Sequence, residues 1–235
     1  MTIIKNILSI LFPQQCVSCF AYIPEEEILC SSCASEFYPN HYAFCSSCGK
    51  RSAFSEYIKT SCCVHSFPLF VATDYELKQA RDLVQALKYK GITRAASFMA
   101  SLLKRVMENN NAKIPEDSVI IPIPISKRAK RRRGYNQAEC IAKCFSEESG
   151  ITSPIRTDIL LKHNHTKSQV ECADSYERSK NIAGAFTVTD PSFVEGKTII
   201  LIDDVFTSGS TLREAVYVLR KAGAKDIMGV VFAKA

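Results

Sequence analysis

The sequence predicts an α/β protein with a mostly parallel sheet and flanking helices, preceded by a small cysteine-rich module. Three observations support this class. Eight of the eleven cysteines lie before residue 64, whereas apolar and amphipathic stretches alternate after Phe70. Four aliphatic residues, Ile199 to Ile202, precede two acids, as in a strand buried on both faces of a parallel sheet. The 235-residue length suits one average domain plus a small module, which we divide at 1–69 and 70–235.

The overall composition is that of a soluble globular protein, with 46% hydrophobic and 23% charged residues and a net charge of +6. The apolar run Ile7 to Phe12 is too short to span a bilayer, and no small-residue cleavage site follows it. We therefore expect a cytoplasmic protein. Apolar residues at positions 3, 4, 7, 8 and 11 follow helical spacing, which favours a helix docked on the protein body. Peripheral attachment at the inner face of the membrane is the alternative.

Cysteine pairs separated by two residues occur three times in the N-terminal module, and a Cys-x-x-His turn follows them. Two thiolates at this spacing can chelate one tetrahedral ion, and two such turns complete a zinc site. A closed shell of four protein ligands leaves no position for water or substrate. We therefore predict two structural zinc ions, one held by the first two turns and one by the last two. The predicted ligands are Cys16, Cys19, Cys30, Cys33, Cys45, Cys48, Cys62 and His65.

Three points about these sites stay open at the level of the sequence. Cys63 is a spare thiol beside Cys62, and a cross-braced pairing of the turns uses the same spacings. Disulfides would need an oxidising compartment, for which the sequence carries no targeting signal. Zinc is the favoured interpretation, because a segment of this size has too little core to fold without metal.

Thr207 to Thr211 follow the buried strand and open a helix. Hydroxyls and the first amides of a helix can donate hydrogen bonds to a phosphate, and Gly209 lets the backbone approach it closely. Asp203 and Asp204 instead accept hydrogen bonds from hydroxyls and repel phosphate. Because ligands bind at the carboxyl ends of parallel strands, the combination predicts a site for a phosphorylated ribose. An ordinary capped helix is the alternative, but a cap needs only one such side chain.

A strongly basic run lies in the middle of the chain. Helical spacing predicts helices over Glu76–Lys90 and Ile92–Met107, followed by a strand over Val119–Ile123. Six of the seven residues in Lys127–Arg133 are then basic. Such runs are commonly solvated, yet the position after a strand favours an anion site for pyrophosphate, a nucleic-acid backbone, or both. We assign Ser126, Lys127 and Arg128 to the phosphorylated ligand, and Lys130, Arg131, Arg132 and Arg133 to DNA.

The polar stretch between Leu161 and a predicted strand over Ala185–Val188 is by itself typical of a mobile surface loop. It contains four residues that bear on the next step, namely Thr166, Gln169, Arg178 and Asn181.

Taken in order, the motifs resemble those of the ComF (ComFC) competence-protein family over nearly the whole chain. The residues that carry the resemblance are Leu11-Phe-Pro with the cysteine pairs, Leu87-Lys-Tyr-Lys-Gly91, Ile121-Pro-Ile-Pro124, Arg133-Gly-Tyr-Asn-Gln137, the four loop residues, and Asp203-Asp-Val-Phe-Thr-Ser-Gly-Ser-Thr211. The resemblance implies a type I phosphoribosyltransferase-like parallel sheet with flanking helices, joined to an N-terminal zinc-ribbon domain.

The resemblance also implies a ligand and a biological role. The last motif is similar to the phosphoribosyl pyrophosphate (PRPP) signature, in which two acids contact the ribose hydroxyls and the following loop holds the 5′-phosphate. Asp203 and Asp204 are therefore the catalytic candidates, and magnesium is expected with PRPP. The binding loop would comprise Thr207, Ser208, Gly209, Ser210 and Thr211. The four residues of the polar stretch resemble the flexible loop of glutamine PRPP amidotransferases, which covers the substrate. The implied role is to handle incoming single-stranded DNA in natural transformation, beside a helicase partner.

The reaction itself is not specified by the sequence. Purine-salvage enzymes often carry an aspartate where this chain has Thr207, and a hydroxyl is a poor general base. The chain starts Met1-Thr2, so we do not expect a complete glutamine amidotransferase with a nucleophilic terminal cysteine. Our leading hypothesis is a PRPP-binding protein of DNA uptake that either transfers phosphoribose to an unknown acceptor or senses a phosphorylated ribose. The alternative is a nucleic-acid-binding adaptor with a non-catalytic pocket.

Overall fold

The computed structural model describes residues 13–54, 63–163 and 184–235. The helix expected at the N-terminus therefore lies outside the described residues. In chain order the elements are α1 (Ser31–Ala34), β1 (Ala43–Cys45), β2 (Arg51–Ser52), β3 (Pro68–Asp74), α2 (Lys78–Tyr89), α3 (Ala95–Asn109), β4 (Val119–Pro122), α4 (Lys127–Arg133), α5 (Gln137–Ser149), β5 (Leu160–Lys162), β6 (Phe186–Val188), α6 (Pro191–Val194), β7 (Thr198–Phe206), α7 (Ser210–Lys221) and β8 (Asp226–Lys234).

A six-stranded sheet with the order β2-β1-β3-β8-β7-β4 forms the centre of the molecule. The strands β3, β8, β7 and β4 are parallel, whereas β1 pairs antiparallel with both β2 and β3. The first five residues of β7, Thr198–Ile202, are all buried. An aliphatic strand between two parallel neighbours has this burial, because both of its faces are covered. The predicted α/β class is confirmed.

Helices cover the two faces of the sheet around separate cores. On one face, Leu83 of α2, Met99 of α3 and Phe145 of α5 pack with Ile200. On the other face, Leu212 of α7 packs in the cluster that contains Ile199, together with residues of β5 and β6. The alternation along β7 sends neighbouring side chains into different cores, as the pleat of a strand requires.

The cysteine-rich module shares both the sheet and one of these cores. Its residues Cys16, Leu29 and Phe37 belong to the same buried cluster as Met99. The Phe37 and Phe98 rings meet edge to face, with their centroids 5.3 Å apart. The module thus packs as an extension of the α/β domain, and the predicted division after residue 69 falls inside β3.

Two predicted segments differ in the structure in ways that matter for the site. The strand expected over Ile199–Ile202 continues to Phe206, because its last residues still pair with β8. Both acids therefore lie within the strand. The basic run, to which the sequence analysis assigned no helix, forms the short helix α4, because the Ser126 Oγ accepts from the Ala129 N–H at 3.2 Å and caps its first turn. Gly134, with φ of 83°, ends that helix.

Candidate functional site

The two acids lie near the carboxyl end of β7, beside the end of β4. The backbone N–H of Ile123 donates to the carbonyl of Ile202 at 2.8 Å, so the chain that leaves β4 runs next to Asp203. The segment that leads into α4 therefore starts at the same edge of the sheet. In open parallel sheets this edge is where ligands bind.

Asp204 forms an ion pair with a lysine from a distant helix. The Nζ of Lys88, in the last turn of α2, lies 2.8 Å from Asp204 Oδ2, and the two side chains are 21% and 10% exposed. Burial lowers the pKa of Lys88, but the charges of Asp204 and Asp203 outweigh this and leave the pKa above its usual value. Lys88 is therefore charged, and it offsets the negative charge of the acidic pair.

Asp203 has a different environment. Burial, followed by the charge of Asp204, raises the pKa of Asp203 to about 7, against the opposing effects of Lys88, the Asp204 N–H and Lys162. Its Oδ1 accepts from the Asp204 N–H at 2.9 Å, and the side chain keeps partial solvent access. A carboxylate in this position is unfavourable without further positive charge or hydrogen-bond donors. A ligand that supplies either would stabilise its ionised form.

Lys162 approaches from the small sheet of β5 and β6. Burial lowers the pKa of Lys162, and the charge of Asp203 partly opposes that shift. Its Nζ lies 5.4 Å from the centroid of the Phe186 ring on the paired strand β6. The acids are thus bordered by lysines on β5 and α2, and sequence reasoning assigned neither lysine. Lys88 belonged to a quoted motif, but nothing near Lys162 in the sequence marked it.

The loop after β7, residues 207–211, is called the phosphate loop below. Gly209 adopts φ of 74° and is the N-cap residue of α7, and a Cβ at this position would overlap the Phe206 ring. The hydroxyls of Ser208 and Ser210 lie 2.9 Å apart. Since no side-chain cap binds the start of α7 among the described residues, its first amides need another acceptor. A bound anion would satisfy them.

Most of the basic run faces solvent. Lys127 and Arg128 form the first turn of α4 and are exposed, as are Lys130, Arg131 and Arg132. Lys130 Nζ lies 3.6 Å from the Glu139 carboxylate of α5, a distance typical of a weak surface ion pair. The exposed cations thus lie on α4, which follows the chain segment that borders the acids.

Arg133 differs from the rest of the run. Its side chain is half-buried, with the guanidinium 5.3 Å from the Tyr89 ring centroid and Nη1 donating to Gln137 Oε1 at 2.8 Å. Its charge lowers the pKa of Lys88, which places it close to the acidic pair. Within the described part of the chain its buried Nε has no hydrogen-bond partner. Arg133, assigned to DNA from the sequence, therefore packs against Tyr89 and is less exposed than the rest of the run.

The four residues of the predicted flexible loop, Thr166, Gln169, Arg178 and Asn181, lie outside the described residues.

The first two cysteine turns come together in one cluster. The sulfur atoms of Cys16, Cys19, Cys30 and Cys33 all lie within 4.8 Å of one another, and Cys19 and Cys30 are 3.5 Å apart. With bonds of about 2.3 Å, a tetrahedral zinc ion separates its sulfur ligands by about 3.8 Å. The cluster fits a structural zinc ion.

A second cluster contains Cys45, Cys48 and Cys63, again with all ligand atoms within 4.8 Å. Cys63, the spare thiol of the sequence analysis, occupies the place expected for the last turn, whereas His65 is not in this group. Cys62 lies outside the described residues. His65 has φ of 61°, and its carbonyl accepts from Arg220 at 2.6 Å. Spacing could not separate these three candidates, because they lie within four residues of one another in the sequence.

None of the helices in the described ranges is long and apolar enough to cross a membrane.

Comparisons with known proteins give a match to each of the two parts of the chain. A double zinc ribbon domain matches residues 7–64, and a phosphoribosyl transferase domain matches residues 78–235. Competence protein F of Haemophilus influenzae is 28% identical over 205 residues, which are 85% of this chain and 87% of that protein. Competence protein ComFC of Bacillus subtilis is 30% identical over 105 residues, 45% of this chain and 39% of that protein. The DNA utilization protein YhgH of Escherichia coli K12 is 23% identical over 220 residues, 85% of this chain and 93% of that protein.

Among solved structures, the glutamine PRPP amidotransferase of Bacillus subtilis, complexed with ADP and GMP, matches with a TM-score of 0.39 and 19% identity. The match covers 60% of this chain and 27% of that one, so the chain spans about a quarter of that protein's length. The domain match is the stronger finding, because it extends over more than half of the chain. The chain therefore belongs to the phosphoribosyl transferase domain family and, with its double zinc ribbon, to the ComF type of competence protein.

Proposed function

We propose that the site binds PRPP together with magnesium. The observation that carries the proposal is the direct succession of two acids, a glycine turn and a helix start at the carboxyl edge of a parallel sheet. The acids attract hydroxyl donors, whereas the amides and hydroxyls of the phosphate loop attract an anion. A ligand that carries hydroxyls next to a phosphate satisfies both halves at once.

The remaining cations suit the other end of the same ligand. The Arg133 Nε has no hydrogen-bond partner among the described residues, and Ser126, Lys127 and Arg128 follow the strand next to the acids. These groups would contact the pyrophosphate. Magnesium would be held by oxygen atoms of the ligand, and its charge would favour the ionised form of Asp203.

For a transfer reaction, Asp203 and Asp204 would stabilise the positive charge that develops on the ribose as pyrophosphate leaves. Preorganised carboxylates in a partly buried site act strongly on such a charge. The described residues place no general base in an obvious position for an acceptor, since Thr207 follows the acids where an aspartate would serve. In the second form of the proposal, the protein is a sensor that binds PRPP without transferring phosphoribose.

We further propose that the protein acts in DNA uptake and handles incoming single-stranded DNA in the cytoplasm, at the inner face of the membrane, beside a helicase partner. Relatives named competence protein and DNA utilization protein support the general role. The exposed cations of α4 would contact the phosphates of the strand without regard to sequence. This same surface favours a second candidate function, a nucleic-acid-binding adaptor whose pocket performs no chemistry.

Calorimetry with PRPP and magnesium on the zinc-loaded full chain tests the proposal. We expect binding by the parent and a strong loss in the variant with Asp203→Ala and Asp204→Ala, because each charged hydrogen bond contributes about 1.5–3 kcal/mol, or about tenfold to a hundredfold in affinity. A variant with Asp226→Ala, which changes an exposed acid at the other end of the sheet, is the matched control.

Two outcomes of that experiment separate the alternatives. Undetectable binding to folded, zinc-loaded parent would refute the PRPP site and leave the adaptor as the better account. Binding without release of pyrophosphate, in the presence of nucleobases, amines or DNA, would favour a sensor over a transferase.

A further inference from the structure

Helix α7 connects the phosphate loop with the second cysteine cluster, defined by Cys45, Cys48 and Cys63. The last two residues of the loop, Ser210 and Thr211, open the helix, and two of its arginines contact chain segments that supply the cluster. Arg213 and Arg220 are seven residues apart, so they lie two turns apart on the same side of the helix.

Arg213 bridges the two regions with a single guanidinium group. Its Nη1 donates to the carbonyl of Ser46 at 3.0 Å, and its Nη2 donates to the carbonyl of Ser208 in the phosphate loop. Ser46 lies between the cluster members Cys45 and Cys48. Because guanidinium is planar and rigid, the positions of the two carbonyls depend on each other.

Arg220 anchors the same helix to the other side of the cluster. Its two terminal nitrogens donate to the carbonyls of His65 and Ser66 at 2.6 and 2.7 Å. Ser66 in turn contacts the carbonyl of Cys63, through its N–H at 3.3 Å and its Oγ at 2.8 Å. Helix α7 is therefore attached to both segments from which the cluster is built.

The phosphate loop has little room to absorb a displacement. Gly209 is in the left-handed region, the Phe206 ring fills the space where a Cβ would stand, and Arg213 Nη1 lies 3.0 Å from that position. If the Cys45–Cys48 turn loosens, Arg213 loses the acceptor that orients it, and the Ser208 carbonyl loses its donor. The loop amides that must point at a phosphate then become ordered only on binding, and this ordering makes the binding free energy less favourable.

We propose that Arg213 is a positioning residue that couples metal binding at the second cysteine cluster to the geometry of the phosphate loop. The consequence for ligand affinity rests on the proposed PRPP site, whereas the coupling of loop order to the cluster does not. Since coupling between two sites is reciprocal, a ligand in the loop also retains the metal.

Hydrogen–deuterium exchange of the amides in residues 207–212 tests the coupling on the full chain. We expect Arg213→Ala to keep both zinc ions and to speed this exchange about tenfold, as for the loss of one or two hydrogen bonds. Cys48→Ser, which removes a cluster member, should lose one zinc ion and speed the same amides. The double variant should be no faster than Cys48→Ser, because both changes break one connection. Lys221→Ala, an exposed position on the same helix, is the matched control.

Unchanged exchange in folded Arg213→Ala, or additive effects in the double variant, would overturn the proposal. If Arg213→Ala does not fold, Arg213→Lys decides the matter, because a single ammonium cannot reproduce the two-armed bridge and should leave the loop amides faster than in the parent. A second arm of the test uses PRPP with magnesium. PRPP should bind Arg213→Ala about tenfold more weakly than the parent. It should also slow the release of zinc to a chelator, and only in the parent. Failure of the parent to bind PRPP refutes the proposed function alone, since the exchange arm still decides the coupling.

Discussion

Substitution of Asp203 by asparagine should stabilise the protein at high pH and have little effect at low pH. Asparagine keeps the shape of the side chain and an oxygen that can accept from the Asp204 N–H, but it removes the negative charge. Burial and the neighbouring Asp204 disfavour that charge in the folded state. The variant therefore tests the electrostatics of the site without a ligand.

The magnitude follows from the shift of the pKa. Asp203 titrates at about 7 in the folded protein instead of its ordinary 3.8. The folded state holds the proton more tightly, so this residue's contribution is most favourable below pH 3.8, declines as the pH rises, and is fully lost above about 7. The full shift would correspond to about 4 kcal/mol, and partial solvent access at Asp203 reduces it. We expect a gain of about 2 kcal/mol for the variant at pH 8.

The assay is urea unfolding of the zinc-loaded parent and variant at several pH values between 4 and 8. Only the difference between the two proteins is used, because the pH dependence of zinc binding is common to both. Asp226→Asn, at an exposed position on β8, should show a flat difference. A difference for Asp203→Asn that stays constant with pH, or a variant less stable than the parent at pH 8, would refute the electrostatic description of the site.

Three further predictions concern the metal, the ion pair and the basic helix. Elemental analysis should find about two zinc ions per chain, and a zinc content near zero would contradict the zinc sites. Cys16→Ser should unfold the cysteine-rich module. Lys88→Met should destabilise the protein by about 3–5 kcal/mol in urea unfolding, because Asp204 is left buried without a partner; an effect below about 1 kcal/mol would show that the pair is screened by solvent. Alanine substitutions at Lys130, Arg131 and Arg132 should flatten the salt dependence of single-stranded DNA binding, and an unchanged slope would place the DNA-binding surface elsewhere. Arg133→Ala should instead affect the binding of PRPP.

Local sequence was sufficient to predict the parts of the site that are contiguous in the chain. The aliphatic strand, the acids that follow it and the glycine turn at Gly209 lie within thirteen residues, and their order alone indicates a hydroxyl-binding and an anion-binding half. Helical spacing likewise located α2 and α3 to within three residues at each end. The cysteine turns predicted a metal module, since two thiolates two residues apart favour tetrahedral chelation whatever surrounds them.

Tertiary structure decided everything that depends on residues far apart in the chain. Lys88 and Lys162 reach the acids from other elements. The motif that contains Lys88 does not indicate this contact, and nothing near Lys162 in the sequence marks it. Arg133 directly follows the exposed Arg132 in the same short helix, yet it is half-buried because it packs against Tyr89. Which of Cys63 and His65 joins the cluster depends on the path of a single turn, and Arg213 contacts Ser46 across 167 residues of sequence. Sequence spacing predicts which side chains lie on one segment. The fold determines which side chains of different segments are in contact, because interactions between distant segments form only when the chain packs.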